Sequence, residues 1–149
     1  MPEMLAATAI IKRHDPNLNF VLPAVPHLLP LIESLVEGSG VTILDQPEDL
    51  IPALQTSDAM IATSGTITLQ AALCGTVGVT CYLTDAFSGF IGRRLVDLDK
   101  AILPNAILGR QLYPFYFQEA ATGKTLAAAT LDCLYDANAK SSARYAAIE

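Results

Sequence analysis

Residues 62–73, with the sequence A-T-S-G-T-I-T-L-Q-A-A-L, contain the groups that are best suited to chemistry. They predict a hydroxyl- and glycine-containing turn between a buried strand and a helix. Such a turn directs free backbone N–H groups and the positive end of a helix dipole beyond the edge of a sheet. Ser64, Thr66 and Thr68 add hydroxyl donors, and Gly65 allows a ligand to approach the main chain closely. Together these groups are suited to binding a diphosphate.

The same turn has a plainer interpretation, in which Ser64 only caps the helix and Gly65 only turns the chain. The local pattern leaves both interpretations open. A serine hydrolase is disfavoured, because Ser64 does not lie in a G-x-S-x-G motif and no histidine can be paired with it. The acidic residues Asp45, Glu48 and Asp49 are better explained as the first turn of a helix than as a metal cluster.

Helices and strands that alternate along the chain must position this turn. Apolar periodicity predicts helices at 4–13, 27–37, 47–55, 66–73, 86–96 and 122–135, and strands at 18–22, 41–44, 58–63, 77–83 and, shorter, 101–103. This alternation predicts right-handed crossovers and a mainly parallel sheet flanked by helices. The predicted fold is an α/β, Rossmann-like domain at 1–136, followed by a helical tail at 137–149.

The start of the chain departs from that fold. Doubly wound domains open with the strand at the centre of the sheet, whereas here a helix is predicted first. Residues 1–3 are too few to form the missing strand. Three explanations remain open: the start is truncated relative to a complete domain, a partner chain provides the strand, or the sheet is rearranged.

Composition restricts the function classes. The chain has 149 residues, of which 52% are hydrophobic, and a formal net charge of -6. One domain is predicted, and no nucleic-acid partner, because an acidic domain lacks the basic field that such binding uses. The apolar run at 21–31 is too short to span a bilayer and is interrupted by Pro23, Pro26 and Pro30. The three cysteines show no C-x-x-C spacing, so free thiols are predicted and no zinc site.

Two motifs are specific in combination: S-G-T-x-T-L at 64–69 and L-P-N at 103–105. Further similarity follows in the same order at Tyr82, 91–96, Pro114 and Gln118. With these motifs the chain resembles lipid-A-disaccharide synthase, a GT-B glycosyltransferase. The resemblance covers only the C-terminal, nucleotide-sugar-binding half of that family.

The resemblance implies a reaction and a set of binding residues. The family transfers 2,3-diacylglucosamine from its UDP conjugate to the 6-hydroxyl of 2,3-diacylglucosamine 1-phosphate. Ser64, Gly65 and Thr66 would hold the diphosphate, Gln70 would face the ribose, and Asn105 and Gln118 would line the sugar side of the cleft. The complete implied site comprises Ser64, Gly65, Thr66, Thr68, Gln70, Tyr82, Asn105 and Gln118.

The resemblance also implies partners and a location. The expected ligand is UDP-2,3-diacylglucosamine or UDP, and no cofactor or metal is implied. A membrane surface is a further candidate partner, as is a second copy of the chain or the N-terminal half of the enzyme. The implied location is the cytoplasm, at the inner membrane of a Gram-negative bacterium. Because the family's general base comes from the N-terminal half, no catalytic residue is assigned to this chain.

An inactive remnant is the alternative that the sequence leaves open. Gln70, Leu83 and Phe115 stand where the family usually has a glutamate, a basic residue and a second glutamate. The first strand is also absent from the pattern. Under this alternative the chain acts at most as a nucleotide-binding or self-associating domain.

Overall fold

The computed structural model describes residues 1–63, 65–83 and 102–148, along which parallel strands alternate with helices. The helices are α1 (Pro2–His14), α2 (Leu29–Val36), α3 (Leu50–Thr56), α4 (Thr66–Leu73), α5 (Leu103–Leu108), α6 (Gly123–Tyr135) and α7 (Ala137–Ala146). The strands are β1 (Phe20–Pro23), β2 (Val41–Leu44), β3 (Met60–Thr63), β4 (Gly78–Tyr82) and β5 (Phe115–Phe117). All strand pairs are parallel. The predicted α/β, Rossmann-like class is confirmed.

The strands form two separate sheets. β1 pairs with β2, and the second sheet has the order β3-β4-β5. Among the described residues, β1 and β3 therefore each pair on one side only. In the doubly wound strand order, the place between β1 and β3 belongs to the central strand. The break thus falls at the strand that the sequence pattern lacks.

Apolar helix faces cover the larger sheet on both sides. On one side, α1 and α6 pack on β4, and this cluster includes Ala7, Ile11, Val79 and Leu126. On the other side, a second cluster joins α3 and α4 to the segment before β5. Gly78 to Cys81 are all buried, which explains why β4 carries apolar and β-branched residues without alternation.

The chain after Leu83 differs most from the predicted elements. The short strand predicted at 101–103 is wrong, because Leu103 begins α5 and Pro104 lies in the first turn of that helix. Proline is favoured there because its missing N–H has no helical partner at that position. β5 was not among the predicted strands. The helix predicted at 86–96 lies outside the described residues.

Thr122 caps α6, as the sequence predicts. Its hydroxyl accepts the N–H of Thr125 at 3.2 Å, and the Thr125 hydroxyl accepts the N–H of Thr122 at 3.1 Å. This reciprocal arrangement satisfies donors that the first turn of a helix otherwise leaves without partners. The start of α6 is therefore defined by local sequence.

Replacing Gly123 with alanine is expected to lower the free energy of unfolding by about 1–3 kcal/mol, as overpacking of a close contact does. A Cβ at Gly123 would lie 2.6 Å from the Cβ of Ala6, so α1 and α6 would have to separate. Their contact also includes a hydrogen bond from the Gly123 N–H to the Glu3 carboxylate. Urea denaturation measures the change.

The matched control is Ala6→Gly, which removes the methyl group that the new side chain would meet. It should cost less stability in the Gly123→Ala background than in the natural protein, since a double-mutant cycle isolates the contact. Additive effects of the two substitutions would contradict a close approach of the helices.

Two observations concern membranes and thiols. Within the described part of the chain, every helix is too short or too polar to cross a membrane. Cys74, Cys81 and Cys133 are free thiols, and Cys81 is buried in the core of the larger sheet.

Candidate functional site

The carboxyl ends of three parallel strands bring the predicted site residues to one edge of the larger sheet. The register places Thr63 beside Cys81 and Tyr82 beside Phe117. Gly65 follows β3, Tyr82 ends β4 and Gln118 follows β5. Ligands of open parallel sheets bind at this kind of edge. Residues separated by more than 50 positions in the sequence thus meet at one surface.

Gly65 has a backbone conformation that only glycine adopts readily. Its φ of 140° and ψ of -165° lie in a region that is closed to residues with a Cβ. A Cβ built on Gly65 would meet no atom of the described residues within 4 Å, so the space that these residues leave beside it is open. The glycine is therefore required by the shape of the turn and not by crowding.

The amino end of α4 faces this open space. Gly65 is the N-cap residue and has no side chain with which to cap the helix. N–H groups of the first turn and the helix dipole together favour an anion at such a position. Thr66, the first helical residue, is exposed. Ser64, predicted beside them, lies outside the described residues.

Thr68, which is predicted to contact the UDP-sugar, is bonded to the turn that precedes α4. Its side chain is completely buried, and its hydroxyl donates to the carbonyl of Gly65 at 2.7 Å. Its N–H donates to the same oxygen at 3.1 Å. Both bonds stabilise the conformation of Gly65, so the hydroxyl of Thr68 has a partner within the turn.

Gln70 lies on the same face of α4 as Thr66, because residues four apart in a helix are neighbours. Gln70 is half-buried and Thr66 is exposed. A ligand held at the start of the helix would therefore meet the Gln70 amide next along this face. The geometry is compatible with a contact to a group adjoining the diphosphate.

Asn105 is a positioning residue. It is 4% exposed, and its amide nitrogen donates to the carbonyl of Tyr113 at 2.9 Å. Its amide oxygen accepts the N–H groups of Leu112 and Tyr113, each at 2.9 Å. Both ends of the side chain are thus occupied by the main chain that enters β5. That Asn105 lines the sugar side of the cleft stays a prediction; the structure shows its amide bonded to the main chain.

The segment entering β5 is held on its other side by β4 and the loop before it. The Tyr113 hydroxyl donates to the carbonyl of Thr76 at 2.8 Å, and burial raises the pKa of Tyr113 well above its usual value. Thr80 donates to the carbonyl of Pro114 through its N–H at 2.9 Å and its hydroxyl at 2.8 Å. None of these hydrogen-bond partners was predicted. The L-P-N motif at 103–105 contains only Asn105, which holds the other side of this segment.

Gln118 and Tyr82 border the edge beyond β4 and β5. Gln118 has a φ of 51°, which is uncommon for a residue with a side chain, and it is half-buried. The ring of Tyr82 is parallel to that of Phe117 within 2°, with 6.2 Å between the ring centres. Tyr82 is 42% exposed, so part of its side chain is open to solvent at this edge.

At this edge the described residues provide hydrogen-bond donors and not a group of metal ligands. Across 1–63, 65–83 and 102–148, no three His, Cys, Asp or Glu side chains are grouped so that they could hold a metal ion. The edge contains a helix amino end, the exposed Thr66 and the half-buried residues Gln70 and Gln118. These groups can bind an anion and hydrogen-bond to a neutral polar ligand.

Comparisons with known proteins identify the family. The family description "Lipid-A-disaccharide synthetase" matches residues 1–147. Proteins named lipid-A-disaccharide synthase from Paraburkholderia phytofirmans and Paraburkholderia xenovorans are each 38% identical to the chain, over 139 and 141 residues. The protein of that name from Nitrosococcus oceani is 30% identical over 137 residues. No solved structure is significantly similar to the chain.

These matches cover most of this chain but only part of each relative. They cover 91%, 92% and 91% of this chain, but only 35%, 36% and 35% of the respective relatives. The chain thus spans about a third of the length of the curated relatives that it matches. The family match, in contrast, includes nearly every residue of the chain, and the chain belongs to the lipid-A-disaccharide synthetase family.

Proposed function

We propose that the chain binds the diphosphate of a UDP-sugar at the carboxyl edge of the β3-β4-β5 sheet. The observation that carries the proposal is Gly65, an N-cap residue in a glycine-only conformation beside open space. A backbone turn of this kind lets phosphate oxygens approach the first-turn N–H groups without steric hindrance. The names of the relatives support a lipid A precursor as the sugar that the nucleotide carries.

The proposed roles follow the positions at the edge. Gly65 and Thr66 contact the diphosphate, together with Ser64, the residue between β3 and Gly65. Gln70 hydrogen-bonds to the ribose from the same face of α4. Tyr82 and Gln118 contact the part of the donor that extends over β4 and β5.

In this proposal the chain is the donor-binding half of a lipid-A-disaccharide synthase. It holds the UDP leaving group, whose negative charge grows in the transition state and is stabilised by the amino end of α4. The acceptor and the general base require the N-terminal half, because glycosyl transfer needs both substrates oriented in one cleft. We place this activity in the cytoplasm, on UDP-2,3-diacylglucosamine, with the enzyme in contact with the inner membrane surface.

Calorimetric titration of the folded chain with UDP tests the donor site directly. UDP should bind more tightly than UMP and much more tightly than uridine, because the proposed contacts are made mainly to the diphosphate. Circular dichroism establishes that the sample is folded. If UDP gives no heat of binding at millimolar concentration, or if uridine binds as tightly as UDP, the proposed diphosphate site is wrong.

A further inference from the structure

The turn between β5 and α6 has an unusual backbone conformation beside the proposed donor site. Within the described ranges, Gln118 is the only residue other than glycine with a positive φ, of 51°. This left-handed conformation is unfavourable for a residue with a Cβ, and it persists only where the surrounding structure enforces it. Because Gln118 follows directly after β5, at the carboxyl edge of the larger sheet, the groups that enforce its conformation bear on that edge.

Two anchors hold the ends of this turn. On one side, Phe117 ends β5, where it pairs with Tyr82 and the two rings are stacked. On the other side, Ala121 is 1% exposed and belongs to the core cluster that α1 and α6 form with β4. Its N–H donates to the carbonyl of Gln118 at 2.9 Å. Residues 118–120 therefore connect a paired strand directly to a core residue.

Thr125, in the first turn of α6, holds the middle of the connection. Its hydroxyl donates to the carbonyl of Ala120 and accepts the N–H of Thr122 at 3.1 Å. One hydroxyl group can donate and accept at the same time, so these two interactions do not compete. The carbonyl of Ala120 is thus fixed two residues after Gln118. The pair of threonines that caps α6 consequently also fixes the turn that contains Gln118.

The start of α6 is a firm support for this contact. The N–H of Gly123 donates to the carboxylate of Glu3 in α1, and the side chain of Leu126 is completely buried. Thr125 itself is exposed, so its side chain is not part of that packing. A substitution at Thr125 should therefore act on the turn more than on the packing of α6.

We infer that Thr125 is a positioning residue for the donor site and acts through Gln118. Its hydroxyl holds the carbonyl of Ala120, and this contact keeps Gln118 in the left-handed conformation in which it borders the carboxyl edge. Without the contact, the main chain at Gln118 relaxes and its amide is misplaced. The inference rests on the proposed function, in which Gln118 contacts the part of the donor that extends over β4 and β5. Thr125 itself touches no ligand.

Thr125→Val tests the inference, because it replaces the hydroxyl with a methyl group of similar size. Calorimetric titration with UDP-2,3-diacylglucosamine in a nonionic detergent should give an affinity at least about threefold lower than that of the natural protein, the effect of losing one hydrogen bond. The affinity for UDP should be unchanged, because the proposed diphosphate contacts lie at α4. Thr125→Ser keeps the hydroxyl and should restore the natural affinity.

Thr130→Val is the matched control on the same helix. The hydroxyl of Thr130 also donates to a main-chain carbonyl, that of Leu126 at 2.7 Å, and this contact is not part of the turn. The control should bind UDP and UDP-2,3-diacylglucosamine as the natural protein does. Circular dichroism checks that all variants fold.

A double-mutant cycle shows whether Thr125 acts through Gln118. Gln118→Ala alone should lower the affinity for UDP-2,3-diacylglucosamine about three- to tenfold. Adding Thr125→Val to Gln118→Ala should lower it no further, because the side chain that Thr125 positions is already absent. Effects of the two substitutions that simply add would indicate independent roles.

The conformational part of the inference has a measurement that needs no ligand. Gln118→Gly relieves the left-handed strain and Gln118→Ala does not, so the glycine variant should unfold at a higher urea concentration than the alanine variant. This difference should become smaller in the Thr125→Val background, since the turn can then relax.

Three results would overturn the inference. They are an unchanged affinity of Thr125→Val for UDP-2,3-diacylglucosamine, additive effects in the cycle, and a urea difference between the two Gln118 variants that Thr125→Val leaves unaltered. Failure of the proposed function gives a different pattern. The natural protein would then bind neither UDP nor UDP-2,3-diacylglucosamine, which rejects the donor site and the role of Thr125 in it, whatever the urea series shows.

Discussion

Gly65→Val is expected to abolish UDP binding while the protein remains folded. Valine cannot readily adopt the φ of 140° at this position, which costs about 1–3 kcal/mol or a change of the turn. The valine Cβ would meet no atom of the described residues within 4 Å, so these residues need not shift to accommodate it. It does enter the open space where we place the diphosphate. Steric exclusion of the diphosphate and displacement of the first turn of α4 act together. The affinity for UDP should therefore fall at least about 100-fold, or 2.7 kcal/mol.

Gly38→Val is the matched control for this substitution. Gly38 also has a positive φ, of 71°, and a Cβ there would likewise meet no atom within 4 Å in the part of the chain that the structure describes. It lies between α2 and β2, away from the carboxyl edge of the larger sheet. The control should lose stability in urea denaturation and keep the UDP affinity of the natural protein. If calorimetry gave the same UDP affinity for Gly65→Val as for the natural protein, Gly65 would not be part of the diphosphate site.

Asn105→Ala is expected to lower the free energy of unfolding by about 3–5 kcal/mol. The substitution leaves the carbonyl of Tyr113 and the N–H groups of Leu112 and Tyr113 without the partners that Asn105 provides. Each unpaired buried group costs about 1–3 kcal/mol. Chemical denaturation monitored by circular dichroism measures the loss.

Two further variants separate hydrogen bonding from side-chain volume. Asn105→Asp has nearly the same shape but loses the donor and places a carboxylate beside the Tyr113 carbonyl, so it should destabilise about as strongly. Asn138→Ala, at an exposed position of α7, should change stability by less than about 0.5 kcal/mol. If Asn105→Asp were as stable as the natural protein, the hydrogen bonds of Asn105 would not be what holds β5 in position.

The substitution at Asn105 should also affect the nucleotide site indirectly. Asn105 fixes the main chain that leads into β5, and Gln118 follows directly after that strand. At a temperature where Asn105→Ala remains folded, UDP affinity should fall by less than in Gly65→Val. This graded result is expected of a positioning residue, which touches no ligand.

Much of the fold could be predicted because it depends on local patterns. The β-branched run at Gly78–Tyr82 predicted a buried strand, and the structure has one there. Thr122 predicted the start of α6 through its own hydrogen bonds. The glycine between a strand and a helix predicted the turn at Gly65, since few other residues can form it.

The element predictions that failed concern short segments after Leu83. The apolar residues at 101–103 predict a strand, whereas Pro104 and the end of α5 favour a helix. The strand Phe115–Phe117 is short and becomes a strand only through pairing with β4, more than 30 residues earlier. Short segments of this kind take the structure that their neighbours impose.

The sequence by itself determined the class of fold, the family and the position of the glycine turn, because periodicity, turn residues and motifs are local properties. Only the tertiary structure decided which polar side chains are hydrogen-bonded within the fold. Thr68 and Asn105 looked like ligand-binding residues in the sequence, yet their polar atoms are bonded to the main chain. Among the described residues it also showed a cavity between β1 and β3, the two strands that each pair on one side only. The physical reason is that a polar group's partner is set by proximity in space, which the order of residues does not record.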